Sequence, residues 1–522
     1  MNHPLAVSVV TALLLAFAMP GRMGWWPLLF VALIPLFSFI LNNKPGRSFL
    51  TGFLSGFLYH ICLLYWIVIV LGRYGGLPVW FSVPALLLLS LYMSLYMALF
   101  AGLLSYICRQ KEHGAHACLR LITAAPFLWV AFDWLRSFLF TGFPWMDLGY
   151  GLYSQPLLIQ AADLGGHHFV SFALVLINAL FLYVIKRLRR NEQQGSAQDA
   201  LPVIAALILF LLGGYSILRY QTLMRQAVNA DTMPIAVVQG NIPQDEKWTP
   251  DRKISTLERY QVLSKESVRE QQVELVVWPE TALPFYPQND PLFQQVKDLP
   301  QDLHVWLLTG SPYFTLSTER ESGKPAINYF NSALMISPQG MVTERYNKQH
   351  LVPYGEYVPL RRYMPFLEPL VVSAGNFTPG SSLTPLRAGK TKVGVLICYE
   401  SIFSNIARKQ VKKGADLLVN ITNDAWYGRS SAPHQSLAMT VFRSVENRRS
   451  LIRAANTGIS GFVDPLGRVI SSSPLFESLV LTADVPVFQG GTVFVRYGFL
   501  FGPFCFFMAV FLLVFYTKKN KI

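Results

Sequence analysis

Residues 393–403, Val393-Gly394-Val395-Leu396-Ile397-Cys398-Tyr399-Glu400-Ser401-Ile402-Phe403, read as a buried strand that stops at a cysteine. Val393–Ile397 is apolar without alternation, the pattern of a strand covered on both faces. A helix-like stretch, Phe403–Lys413, follows it. Similar runs recur at Ile235–Val238, Val273–Val277, Val305–Leu308, Ser332–Ile336, Leu417–Ile421, Leu451–Ala454 and Gly461–Asp464. Amphipathic charged segments such as Ser255–Gln272 and Pro433–Arg449 lie between them. This alternation predicts an α/β layered domain. Three runs end in polar groups: Val273–Val277 at Glu280, Val393–Ile397 at Cys398, and Leu417–Ile421 at Asn423 and Asp424. The carboxyl ends of buried strands are where α/β folds place their chemistry.

The rest of the chain differs in kind. Its 522 residues are 52% hydrophobic and 14% charged, against about 25% charged in a soluble domain. The deficit is concentrated in the first 220 residues and the last 26. Arg219–Phe494 reads as ordinary water-facing protein. Eight stretches are expected to span a bilayer: Leu5–Met19, Trp25–Leu41, Phe49–Leu71, Val79–Ile107, Leu121–Phe140, Phe169–Ile185, Pro202–Leu218 and Tyr497–Tyr516. Most approach the ~20 residues that ~30 Å of hydrocarbon demands. Leu5–Met19 is the shortest. It lacks a basic n-region and a small-residue cleavage site, so it reads as a span and not a signal peptide. The expected organisation is a helical transmembrane domain of seven spans over 1–219, an α/β domain over 220–494, and an eighth span with a tail over 495–522.

Basic residues orient the spans. One set of loops carries Lys44, Arg47, Arg109, Lys111, Arg120, Lys186, Arg187, Arg189, Arg190, Lys518, Lys519 and Lys521, whereas the alternate loops carry only Arg22 and Arg73. The positive-inside rule places the rich set in the cytosol. The α/β domain is then expected outside, which in a Gram-negative cell is the periplasmic side of the inner (plasma) membrane. The net charge of +14 is explained by these flanking residues, and no nucleic acid is expected as a partner.

Asp133 and Arg136 fall inside the fifth span, one helical turn apart. An ion pair there is costly in lipid and faces protein or a cavity. It reads either as a packing lock or as part of a functional cavity. The loop Thr141–Tyr153 (TGFPWMDLGYGLY) reads as interfacial, with Trp145, Tyr150 and Tyr153 as a belt at headgroup level ahead of a direct substrate role.

Five cysteines are present. Four lie in or beside the spans, which leaves Cys398 without a disulfide partner in its own domain. An unpaired cysteine can be a small buried hydrophobe. At a strand-to-helix turn it can also be a nucleophile, with a helix N-terminus expected to lower its thiol pKa. A nucleophile needs a base and a positive donor for the oxyanion. Glu280, behind an apolar strand and a Trp-Pro pair, is the candidate base. Lys348 is the candidate donor. No metal cluster and no phosphate-cradling loop is seen, so no cofactor is expected. His434 reads as structural.

The segments VVWPETALP (276–284), YNKQHLVPYGEYVP (346–359) and GVLICYESIF (394–403) occur in that order. They resemble the Glu, Lys and Cys motifs of the nitrilase superfamily. With the spans, and with QGNIPQDEKW, NITNDAWYG and RAANTGISG, the whole chain resembles its membrane-embedded branch, the apolipoprotein N-acyltransferases. The resemblance implies a nitrilase-like αββα sandwich beside a membrane α-helical bundle. It implies Glu280 as base, Lys348 in the oxyanion site, Cys398 as nucleophile and Glu356 as a second pocket glutamate. Tyr399, Glu400 and Trp248 are further implied as supporting or substrate-binding residues. It also implies a phospholipid acyl donor, with phosphatidylethanolamine expected, and diacylglyceryl-cysteine apolipoproteins as acceptors. The apolar stretch Tyr363–Val372 reads either as a lid at the headgroup level or as ordinary packing. Three other readings compete. A membrane-anchored amidase would use water as acceptor, yet would not need seven preceding spans. A non-catalytic lipid-binding protein or a protein–protein scaffold would leave the three ordered motifs unexplained.

Overall fold

The computed structural model describes residues 3–109, 115–190, 200–244, 249–321, 324–357 and 377–521. The chain divides into two compact units: residues 1–68, 79–222 and 496–522 form one, and residues 69–78 and 223–495 the other.

The first unit is helical. Among the described residues, six helices are long and apolar enough to cross a membrane: Pro45–Leu64, Val79–Cys108, His116–Arg136, His167–Arg189, Ala200–Val228 and Gly498–Lys518. The first two expected spans are shorter apolar elements. Helix Pro4–Ala18 has 15 residues, about 22 Å at ~1.5 Å per residue, less than the hydrocarbon thickness. The second expected span is broken into a 3-10 turn, Trp26–Phe30, and a helix, Ile34–Asn42. Proline begins each piece. The backbone groups freed at the break are met by Asn178, which accepts from the Leu33 amide at 2.9 Å and donates to the Leu29 carbonyl at 2.8 Å.

Helices Pro45–Leu64 and Val79–Cys108 approach closely because Gly52 and Gly56 face the second helix. A Cβ at 52 would lie 2.6 Å from the Met97 carbonyl oxygen. This is the small-residue spacing that lets helix backbones meet in lipid. Asp133 and Arg136 face protein: both are buried, and Arg136 pairs with Asp133 at 3.2 Å and with Asp147. The belt reading of the 141–153 loop is corrected for two of its aromatics. Trp145 and Tyr150 are buried, Trp145 with its ring centroid 4.7 Å from that of Trp66 and Tyr150 stacked on His167 at 4.5 Å.

The second unit is built on two six-stranded sheets. Their strands are β1 (Thr232–Gln239), β2 (Leu275–Val277), β3 (Trp306–Glu321), β4 (Lys324–Ile336), β5 (Val342–Asn347), β6 (Leu386–Ala388), β7 (Thr391–Ile397), β8 (Leu417–Thr422), β9 (Leu451–Ala455), β10 (Gly461–Val463), β11 (Val469–Ser472) and β12 (Leu479–Pro486). The orders are β12-β1-β2-β3-β4-β5 and β11-β10-β9-β8-β7-β6. Three central strands of each sheet, β1-β2-β3 and β7-β8-β9, run parallel.

Alternate residues of the two sheets meet in one core: Ile235, Val237, Leu275 and Val277 from one, Val395, Ile397, Val419 and Ile421 from the other. On the outer face of the first sheet, Val238, Val276 and Trp278 pack with Leu257 and Tyr260 of helix Pro250–Glu270 and with Val296 of helix Phe293–Leu303. Helices Ser404–Lys412 and Ala432–Asn447 belong to the second sheet. Gln410 pairs its amide with the Val395 backbone in both directions, at 2.7 and 2.5 Å. The four layers are therefore helix, sheet, sheet, helix. The ten residues Ile69–Pro78 also belong to this unit: Tyr74 meets Trp426 edge-on at 6.2 Å, and Gly428 lies against Ile69.

Candidate active site

Three strand ends and one loop meet at the site. Parallel strands β2, β7 and β8 deliver Glu280, Cys398 and Asn423 from their carboxyl ends, and the loop after β5 delivers Lys348 and Glu356. Glu280, Lys348 and Glu356 are all buried, Lys348 to 1% exposure. Burying a lysine is tolerable only when its charge is paired. Lys348 Nζ lies 2.9 Å from Glu356 Oε1 and 3.6 Å from Glu280 Oε1. These carboxylates outweigh burial and hold the ammonium well above the usual lysine range.

Asn331, mid-strand on β4, donates to Glu280 Oε1 at 2.8 Å and to Glu356 Oε1 at 2.9 Å. Each carboxylate also accepts one backbone amide at 2.9 Å, Asn423 for Glu280 and Val352 for Glu356. The result is a fixed lattice of two anions, one cation and one amide.

Backbone geometry at the site is strained. Cys398 has φ +54° and Thr281, directly after Glu280, has φ +50°. Such angles are uncommon for residues other than glycine and cluster where function requires them. Gly310 on β3 makes room for the Glu280 turn. A Cβ there would fall 2.5 Å from the Pro279 oxygen and the Thr281 nitrogen, and 2.6 Å from Glu280 Cα. All three are backbone atoms, so the turn itself has to move. Gly310→Ala is expected to lower the rate at this site about a hundredfold, the cost of a reacting group misplaced by ~1 Å, with the fold retained. Circular dichroism beside a single-turnover assay checks this. Wild-type rates in a folded variant would show that the turn adapts.

The expectation of a lowered thiol pKa is corrected. Cys398 opens a five-residue 3-10 turn, Cys398–Ile402, and the longer helix begins only at Ser404. Burial, then the Glu280 carboxylate, push the thiol up to about 12, while Lys348 and a hydrogen bond with Thr422 work in the opposite sense. The resting cysteine is a protonated thiol that needs a base.

Glu400 is fully buried and braces the backbone. It accepts from Tyr346 Oη at 2.9 Å, the Gln349 amide at 2.7 Å, the His350 amide at 3.2 Å and the Ile397 amide at 2.8 Å. It thus ties the Lys348 loop to the end of β7. Burial raises its carboxyl to about 7 against the pull of those donors. Tyr399 packs edge-on to Phe403 at 5.1 Å and near His350 at 5.8 Å. Burial and then Lys348 lower His350 to about 4. Trp248 and the stretch Tyr363–Val372 lie outside the described residues. Asn331 was missed by sequence reasoning, which has no means of giving a mid-strand asparagine two carboxylate partners.

In the helical unit, Asp147, His167 and His168 bring three potential metal-ligand atoms within 4.8 Å of one another. The Asp147 carboxylate already accepts from Arg136 and, at 2.8 Å, interacts with His167.

Comparison with known proteins matches both units. Residues 11–180 match the apolipoprotein N-acyltransferase N-terminal domain, and residues 234–490 match the carbon-nitrogen hydrolase family. The apolipoprotein N-acyltransferase of Geobacter metallireducens is 38% identical, covering 96% of this chain and 92% of its own length. That of Methylococcus capsulatus is 32% identical, covering 90% and 87%. Among solved structures, Saccharomyces cerevisiae Nit3, a member of branch 10 of the nitrilase superfamily, is 19% identical, covering 49% of this chain and 90% of that chain with a TM-score of 0.38. With 38% identity sustained from the helical unit through the α/β unit, the chain belongs to the apolipoprotein N-acyltransferase family.

Proposed function

We propose that this chain transfers an acyl group from a phospholipid to the N-terminal amine of a diacylglyceryl-cysteine apolipoprotein, through a thioester on Cys398. The observation that carries this is the buried Glu280–Lys348–Glu356 lattice beside a protonated thiol at the end of a parallel strand. Glu280 takes the thiol proton, and the sulfur attacks the ester carbonyl of the donor, with phosphatidylethanolamine as the expected lipid. Lys348 and the backbone amide of Tyr399 hold the tetrahedral oxyanion. The lysophospholipid alkoxide leaves with the proton from Glu280. In the second half, the α-amine attacks the thioester, Glu280 accepts its proton, and the thiol returns.

Glu356 pins Lys348 and spares Glu280 from a full ion pair, since Lys348 is nearer to Glu356 (2.9 Å) than to Glu280 (3.6 Å). The six membrane-length helices support a bilayer-borne lipid substrate. The asymmetry of basic loop residues supports an inner-membrane location with the α/β unit on the periplasmic side.

The test is mass spectrometry of the peptide containing Cys398. Full-length protein in detergent is incubated with a phospholipid of defined chains and digested. The expected result is a mass gain of one acyl group, removed by neutral hydroxylamine and absent in Cys398→Ser. An unmodified Cys398 in folded protein with excess lipid rejects the acyl-enzyme.

A further inference from the structure

We propose that Thr422 is a positioning residue for the nucleophile: its single hydroxyl hydrogen points to Asp424 in the resting site and turns to the Cys398 sulfur when that sulfur loses its proton. This rests on the reading of Cys398 as nucleophile. Ile397 and Ile421 are the last paired residues of the parallel strands β7 and β8, so Cys398 and Thr422 follow side by side. Hydrogen bonding with Thr422 is among the influences on the Cys398 thiol.

The direction of that bond decides what it does. Thr422 Oγ1 lies 2.9 Å from Asp424 Oδ1. That bond runs from the hydroxyl to the carboxylate, so the hydroxyl hydrogen is committed to Asp424. Toward sulfur, Thr422 then offers lone pairs. These suit a thiol S–H and do not suit a thiolate. A thiolate made by Glu280 needs a donor, and a hydrogen bond to the charged form favours it. Rotation about the Cβ–Oγ bond alone moves the hydrogen from Asp424 to sulfur, with the heavy atoms fixed. The thiol proton goes to Glu280, and Thr422 keeps its own.

The switch requires that Asp424 lose this bond without becoming an orphan. Its second oxygen accepts from Arg453 at 2.8 Å. Arg453 is fully buried and anchored by the Ile459 carbonyl at 3.1 Å, Ser436 at 3.0 Å and Asn420. Gly458 leaves the carboxylate its place, since a Cβ there would fall 2.2 Å from Asp424 Oδ2. The acceptor is thus held in place while its donor turns.

The test uses full-length protein in detergent and needs no lipid substrate. The rate of Cys398 alkylation by iodoacetamide at pH 8 reports the thiolate fraction, read by mass spectrometry of its peptide. Thr422→Val keeps the β-branched shape and removes the hydroxyl, so the rate is expected to fall about tenfold, one pKa unit. Thr422→Ser is expected to restore it. Asp424→Asn weakens the competing acceptor and removes a nearby negative charge, so it is expected to raise the rate. A structural role would slow both variants. Equal rates for Thr422→Val and wild type, or slowing by both Thr422→Val and Asp424→Asn, overturn the proposal; if Thr422→Val does not fold, the direction of the Asp424→Asn change decides. Thioester formation is followed in parallel. Wild type that forms no thioester, while the variants keep the alkylation order, rejects the acyl-enzyme and leaves Thr422 as the positioning residue of a reactive thiolate.

Discussion

Glu280→Gln is expected to slow formation of the Cys398 thioester by about a thousandfold, within the ~10²–10⁴ that a positioned general base contributes. The reason is the thiol. With burial and the Glu280 charge pushing it up to about 12, the free thiolate at pH 7 is a fraction on the order of 10⁻⁵. Lys348 alone does not overcome that deficit, so the proton has to be taken during attack. The substitution keeps the size of the side chain and one of its acceptor oxygens, so the fold survives. The measurement is a single-turnover time course of acyl-Cys398 across pH. In the variant, the rate should climb about tenfold per pH unit from neutrality upward, because hydroxide replaces the missing base. A rate near wild type at pH 7 would mean that another group takes the proton.

Lys348→Met combines the largest stability cost with a catalytic one. The ammonium is 1% exposed and sits between two carboxylates. Removing it leaves Glu280 and Glu356 joined only by the neutral amide of Asn331. Breaking a buried ion pair from one side costs about 3–5 kcal/mol, more than the ~1 kcal/mol that the methionine's apolar contacts return. Loss of an oxyanion donor adds about 10²–10³ in rate. Two readouts separate the effects. Thermal unfolding should show a lowered melting temperature at neutral pH. Thioester formation should stay slow at every pH. An unchanged melting temperature would mean that the lattice contributes no stability. Lys348→Arg should rescue neither, since a planar guanidinium does not fit the volume closed around a single ammonium.

Much of the α/β unit was legible because its central strands are covered on both faces. Ile235–Val238, Val393–Ile397 and Leu417–Ile421 carry unbroken apolar runs, and each is a strand. Strands β5, β6, β11 and β12 left no such mark. VTERYN, LRA, VISS and LVLTADVP are short or half-exposed, and they pair at or near sheet edges where one face meets water. The long β3–β4 hairpin was underread for the same reason, since its outer half extends beyond the core. In the site, Glu280, Lys348 and Cys398 were legible from strand-end position and motif. Glu400 was legible as important, but the four donors around it come from chain segments about 50 residues away or from its own turn, and spacing does not reveal them. The second expected span is broken into two pieces because Trp25–Leu41 has the hydropathy of a helix, while its prolines and the distant Asn178 decide its backbone.

The ten residues Ile69–Pro78 carry a consequence for how the molecule is made. They leave the ribosome about 150 residues before β1, yet their packing partners Trp426 and Gly428 come some 350 residues later. One wall of the α/β unit is therefore synthesised first and has to wait for nearly all the rest. Contacts this distant in sequence close late and slowly. A fragment beginning at Leu223 would contain every residue of the Glu280–Lys348–Cys398 group and still leave Trp426 facing water where Tyr74 belongs. Here the α/β unit is completed by a piece of chain that lies in sequence between two helices, Pro45–Leu64 and Val79–Cys108.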